Sequence, residues 1–262
     1  MIELTGPDRG VTVLTLARPA RRNALDLAGF RKLAAAWREL DESPDVRVVV
    51  VTGGAADFCS GADLATISGE MSAAIRGGTP GREIWRDVND AVLRDLRITT
   101  PVVAAIEGVC YGAGMELAGA TDIRVAGQSA RFALPEVRHG VIPSGGSLAR
   151  LPRQIPYGTA MRLLLTGQPA GAAEMHRCGF VNEVVADGSA LPAAVGLARV
   201  IARNSPAAVR AAKRVAQGAF LDGLEAGFAL EEAAGREVLS GPEAAEGARA
   251  FAAKRAPSWQ LG

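Results

Sequence analysis

The chain has 262 residues and carries 29 Lys and Arg against 28 Asp and Glu, a net charge of only +1. That balance excludes a nucleic-acid binder built on a strongly basic field. Hydrophobic residues make up 48% of the chain, which excludes global disorder, and aromatics only 5%, so the core must be Ala, Val, Leu and Ile with closely packed backbone.

Two β-prone runs, residues 2–4 and 11–16, flank Gly6-Pro7-Asp8-Arg9-Gly10 and predict an opening hairpin. Leu27, Phe30, Leu33, Ala34, Trp37 and Leu40 recur at helical spacing behind Asp26, a side chain suited to cap a helix. Residues 46–51 read as a buried strand that stops at Thr52-Gly53-Gly54, and residues 102–106 as a second that ends in a glycine turn. Between them, residues 67–81 are rich in Ser, Gly and Thr and read as a mobile excursion. The longest apolar stretch, residues 98–120, holds Glu107 and Glu116, carboxylates too costly for lipid, so no membrane span is expected. Strands at 122–126, 130–133 and 180–185 alternate with helical patterns, which predicts an α/β fold with parallel pairing. From Ser189 onward the pattern is helical, with Ser205-Pro206 a cap and first-turn proline. Residues 1–188 thus form an expected core, and residues 189–262 a second subdomain or an oligomer-forming arm.

Cys59, Cys110 and Cys178 are odd in number, widely spaced and without a CxxC pair. They fit reduced thiols in the cytoplasm better than a disulfide framework or a zinc ribbon, and the N-terminus shows no secretory signal pattern. A GxxxxGK[ST] phosphate loop and an HExxH motif are both missing, and His139 and His176 are the only histidines. Ser144, within Ile142-Pro143-Ser144-Gly145-Gly146, is not a nucleophile elbow. Gly112-Ala113-Gly114 begins like a dinucleotide fingerprint, but Leu117 stands at the third glycine position and Glu116 would repel phosphate.

The same strand-to-helix turn suits an oxyanion. Small residues allow close approach to unpaired amides, and the helix N-terminus favours negative charge. A second such turn is Phe58-Cys59-Ser60-Gly61-Ala62-Asp63-Leu64, so the Ala62 and Ala113 amides are candidates to meet on one carbonyl oxygen. Glu116, in a helical first turn among small residues, and Glu136, after Pro135 in an apolar loop, are candidates for an acid–base pair. Ordinary glycine turns, a helix-dipole partner and a solvated loop carboxylate explain the same residues, and the pattern alone leaves both readings open.

Five stretches in order carry a resemblance to the crotonase, or enoyl-CoA hydratase/isomerase, superfamily over nearly the whole chain. They are Arg18-Pro19 with Arg22-Asn23-Ala24-Leu25-Asp26; Phe58 to Leu64; Gly112-Ala113-Gly114-Met115-Glu116-Leu117-Ala118 with Thr121-Asp122-Ile123; Phe132-Ala133-Leu134-Pro135-Glu136-Val137; and Ile142-Pro143-Ser144-Gly145-Gly146. The resemblance implies a spiral of ββα turns with a C-terminal helical trimerisation region, assembled as a trimer or a dimer of trimers. It implies an acyl-CoA thioester substrate with no metal or redox cofactor, an oxyanion hole at Ala62 and Ala113, and catalytic glutamates at Glu116 and Glu136. CoA recognition falls by the same resemblance to Arg22, Ala24, Ala62, Asp63, Leu64 and Ala113, with Arg22 a match for a phosphate or else a solvated basic residue. Both glutamates favour a hydratase that converts a 2-enoyl-CoA to a 3-hydroxyacyl-CoA. An isomerase, a carnitinyl-type dehydratase and a non-catalytic acyl-CoA binder are the alternatives, and Arg138-His139-Gly140 beside Glu136 leaves room for a polar acyl group. Nucleic acid and membrane are not expected partners.

Overall fold

The computed structural model describes residues 2–63, 65–67, 69 and 79–259. In chain order the strands are β1 (Ile2–Asp8), β2 (Val11–Leu16), β3 (Val48–Thr52), β4 (Val102–Ile106), β5 (Val109–Tyr111), β6 (Ile123–Gly127), β7 (Arg131–Ala133), β8 (Ala170–Gly171) and β9 (Glu183–Val185). The named helices are α1 (Leu27–Glu42), α2 (Thr79–Ala91), α3 (Ala113–Ala120), α4 (Ser147–Gln154), α5 (Tyr157–Thr166), α6 (Ala172–Arg177), α7 (Ala190–Ala202), α8 (Pro206–Asp222), α9 (Leu224–Ser240) and α10 (Pro242–Ala252).

β1 and β2 form the expected antiparallel hairpin, and a six-stranded sheet then runs β1-β2-β3-β4-β6-β9 with every pairing after the hairpin parallel. The Val48–Val51 run is apolar at every position because both faces of the sheet are covered. Val49 and Val51 point into the main core with Phe30, Leu33 and Trp37 of α1. Val48 and Val50 point the other way, onto Ala190, Ala194, Ala198 and Ala202 of α7. An alanine every fourth residue lets α7 lie close on the sheet. The helical tail expected from Ser189 is therefore of two kinds: α7 belongs to the sheet's packing, while α8 and α9 form a helical hairpin continued by α10. Asp26 caps α1 by accepting from the Gly29 N–H at 2.8 Å, and Ser205 caps α8 by accepting from Ala208 at 3.1 Å.

A second, three-stranded sheet, β5-β7-β8, stands apart from the first. The turns that begin at β4 and β6 send the chain from the large sheet to the small one and then into a helix. β4 thus passes through Gly108 to β5 and on to α3. Gly108 has φ +53°, and a Cβ there would collide with the Ala56 carbonyl, so glycine alone makes this corner. The expected strand at 130–133 pairs with β5 in the small sheet, not with the large one. Glu107, buried in the corner, accepts from Gly188 N–H at 2.9 Å and Ala190 N–H at 3.0 Å and so caps α7. Its role is structural. Most of the excursion expected at 67–81 lies outside the described residues. No helix among the described residues is long and apolar enough to cross a membrane.

Candidate active site

The two glycine turns singled out in the sequence meet in space. A parallel bridge joins Cys59 to Cys110: Cys59 N–H donates to Val109 O at 2.9 Å, and Tyr111 N–H to Cys59 O at 2.9 Å. Three residues further on, a second bridge pairs Ala62 with Leu25, through Leu25 N–H to Gly61 O at 2.9 Å and Asp63 N–H to Leu25 O at 2.8 Å. In that pattern the Ala62 N–H faces away from Leu25, and among the described residues it meets no acceptor. Ala113 is the first residue of α3, so its N–H has no partner within the helix. Gly112, at φ +51° and ψ −124°, turns the chain into α3, and its own N–H donates to Ala133 O at 2.9 Å. The contact between the turns is close. A Cβ on Gly61 would lie 3.2 Å from Tyr111 O and 3.6 Å from Ala113 N.

A polar frame holds the first turn. Arg18 reaches Asp63 at 2.9 Å, Asp26 at 3.5 Å and the Ala24 carbonyl at 3.0 Å. Asn23, buried and at φ +57°, accepts from Arg18 N–H at 2.8 Å and donates to Gly53 O and Asp57 O at 2.8 and 2.7 Å. Arg22 pairs with Asp57 through Nε at 2.8 Å and Nη2 at 3.3 Å, which holds the Asp57 carboxyl below the ordinary carboxylate range. Its side chain nonetheless stays 60% exposed at the rim of the turn. Residues 65–67 are helical, and the Asp63 carbonyl accepts from Thr66 and Ile67 N–H, so the first turn also leads into a helix. Leu64 lies outside the described residues.

Glu116 and Glu136 approach the second turn from different elements. Glu116, on α3, is 7% exposed and accepts from the Gly145 N–H through Oε1. Burial first, and the charge of Glu136 second, push its pKa up to about 7; the Gly145 N–H, Arg150 and Arg94 pull the other way. Glu136 sits on the short turn Pro135–His139, half-buried, with Oε1 within 3.0 Å of where a Gly112 Cβ would lie. Its pKa is also raised, by burial, and Oε2 is buried without a hydrogen-bond partner among the described residues. Gly145 and Gly112 are bare where the carboxylates lie: a Cβ on Gly145 would be 2.5 Å from Glu116 Oε2. Two coupled carboxyl groups, one poised to titrate near neutrality and one with an unsatisfied oxygen, thus flank two unpaired amides. Chemically, such an arrangement can give and take a proton beside two free main-chain donors.

The sequence profile described as Enoyl-CoA hydratase/isomerase matches residues 6–261. The chain belongs to the enoyl-CoA hydratase/isomerase family, within the crotonase superfamily. It is 40% identical to the enoyl-CoA hydratase EchA19 of Mycobacterium tuberculosis, over 98% of this chain and 97% of that protein. It is 34% identical to the mevalonyl-coenzyme A hydratase sidH of Aspergillus fumigatus, over 97% and 93%. A crystal structure of an enoyl-CoA hydratase from M. tuberculosis superposes with a TM-score of 0.87 at 35% identity, covering 100% of this chain and 99% of that one.

Ala24, Ala62, Asp63, Ala113, Glu116 and Glu136 cluster around the two turns, and Arg22 stands at their edge. Sequence reasoning assigned no role to Gly145, Arg18 or Asn23, although each lies in a quoted motif. Arg18 between Ala17 and Pro19, and the paired glycines before α4, were the available signals.

Proposed function

We propose that the chain is a 2-enoyl-CoA hydratase, a hydro-lyase that adds water across the 2,3 double bond. The observation that carries this is the pair Glu116 and Glu136, electrostatically coupled beside the free Ala62 and Ala113 amides. The thioester oxygen is bound by those two amides. Glu116 takes a proton from water as its oxygen bonds to the β carbon, and the electrons of the double bond move onto the thioester oxygen. The two amides stabilise that enolate, each such donor typically contributing about 3–4 kcal/mol. Glu136 gives its proton to the α carbon, and the enolate collapses to the 3-hydroxyacyl thioester. The proton taken by one carboxylate and the proton given by the other balance, so no metal or redox cofactor enters the scheme.

CoA is recognised by this reading through Arg22, Ala24, Asp63 and Leu64, with the Arg22 guanidinium at hand for a phosphate. Exposed Leu224, Phe228, Leu239 and Phe251 on α9 and α10 support burial against further copies, as a trimer or a dimer of trimers. Three free thiols suit a reducing cytoplasm. Exposed Arg138 and His139 next to Glu136, together with the mevalonyl-coenzyme A hydratase relative, favour a polar acyl group as a second reading.

The test mixes the protein with 2-enoyl-CoAs from short to long, including hydroxylated ones. It follows loss of the enoyl-thioester ultraviolet absorbance and confirms the 3-hydroxyacyl product by mass. Glu116→Gln and Glu136→Gln each lower kcat by about 100-fold or more, as loss of a general acid or base does. A protein that binds the panel without turning any member over refutes the assignment. Conversion of 3-enoyl to 2-enoyl-CoA without water addition replaces it with isomerisation.

A further inference from the structure

We infer that Arg150 is a positioning residue for the reaction: the counter-cation of Glu116, acting across the Gly145-Gly146 backbone. The inference rests on Glu116 being the base that activates water. Arg150 lies in the first turn of α4, where its N–H donates to Gly146 O at 2.9 Å. Its guanidinium folds back over the same glycine, with Nη1 2.9 Å from where a Gly146 Cβ would lie. The Glu116 carboxylate presses on the neighbouring glycine, 2.5 Å from the corresponding point on Gly145, and holds the Gly145 N–H. Anion and cation thus sit against consecutive bare glycines. Nη2 donates to Leu93 O and, at 3.4 Å, to Arg94 O, which anchors α4 to the turn after α2. Nη1 is buried and has no partner among the described residues.

The charges around this pair are mostly committed elsewhere. Arg97 is held by Asp222 at 2.6 and 2.8 Å, Arg94 by Asp95 at 3.5 Å, and Lys213 by Asp122 at 2.8 Å. Glu136 faces Glu116 as a like charge and Arg94 acts on it as a further cation, while Arg94, Arg97 and Asp95 face Arg150. Among the described residues Arg150 has no carboxylate of its own within ion-pair distance. Its far side borders a cavity of about 280 Å³ shared with Arg97, Asp122, Gln154 and Lys213. The arrangement has a chemical use. A direct ion pair would occupy the Glu116 lone pairs and weaken it as a base. A cation one peptide away stabilises the ionised form and leaves an oxygen open to water.

The test compares Arg150→Gln, which is neutral, with Arg150→Lys, which keeps the charge. In the full-length protein, Arg150→Gln moves the acid limb of the kcat–pH profile upward by about one unit. Arg150→Lys stays near wild type, and KM changes less than kcat. A readout without turnover is the carboxylate infrared band of substrate-free protein, titrated with pH and referenced to Glu116→Gln. Its midpoint shifts upward in Arg150→Gln and not in Arg150→Lys. An Arg150→Gln protein whose infrared midpoint is unmoved, or an Arg150→Lys protein displaced as far as Arg150→Gln, overturns the inference. The infrared titration decides this even where no enoyl-CoA is hydrated, so failure of the hydratase assignment is read separately from failure of the counter-cation.

Discussion

Replacing Glu116 by glutamine should cut turnover by about 100-fold or more and at the same time stabilise the fold, by an amount that depends on pH. The carboxyl is 7% exposed, and its pKa rises from 4.5 to about 7 on folding. The favourable contribution of this group is therefore complete below pH 4.5 and lost as pH rises through about 7. The 2.5-unit difference between 4.5 and 7, at about 1.36 kcal/mol per unit, makes about 3 kcal/mol of destabilisation above pH 8. Roughly 2 kcal/mol of it develops between pH 5.5 and 8.5. Glutamine carries no charge and still offers an oxygen to the Gly145 N–H. The stability gap between Glu116→Gln and wild type should thus widen by about 2 kcal/mol across that interval, which for a chain of this size is a Tm difference of about 4–8 °C. Urea or thermal unfolding of both proteins at equal protomer concentration, stepped from pH 5.5 to 8.5, measures it. Parallel profiles, with a constant gap, would refute the reasoning, because they would mean that folding does not move the Glu116 proton.

Gly114→Ala places a methyl 2.5 Å from Cys59 O and 2.7 Å from Cys59 Cβ, neither of which can swing aside. It should cost about 1–3 kcal/mol and part the two amide turns, so that kcat falls while Gly235→Ala, in open space on α9, leaves rate and fold intact. Arg124 is buried, donates to the carbonyls of Phe180, Ala118 and Thr121, and stacks on the Phe180 ring at 4.7 Å. Arg124→Met removes the donor to the Phe180 and Thr121 carbonyls, while Ala118 O keeps the Thr121 N–H and hydroxyl, and chemical denaturation should show a loss of about 2–3 kcal/mol.

The parts of the site that were readable in the sequence are those set by a few consecutive residues. Glu116 in the first turn of α3, Glu136 after Pro135, and the glycines that start each turn are local features, as are the hairpin and the Asp26 and Ser205 caps. What could not be read depends on pairing across long separations. Nothing near residue 59 announces that it will bridge residue 110, nor that β7 will leave the large sheet to join β5. Alanine at four-residue intervals marks α7 as helical but not as the cover of Val48 and Val50. The partnership of Arg22 with Asp57 is likewise invisible, because 35 residues and a strand separate them. Charge placement near Glu116 is hidden for the same reason: Arg150 belongs to another ββα turn.

The bridge between Cys59 and Cys110 has an evolutionary consequence. The spacing of the Ala62 and Ala113 amides is set by a ladder of main-chain bonds and not by side chains at the rim of the turns. Side chains along the rim can therefore diverge without altering the distance between the two amides. One scaffold can explore new acyl groups by mutation at the rim while the reacting centre keeps its spacing, and an engineer seeking a new substrate should leave residues 59–62 and 110–114 untouched.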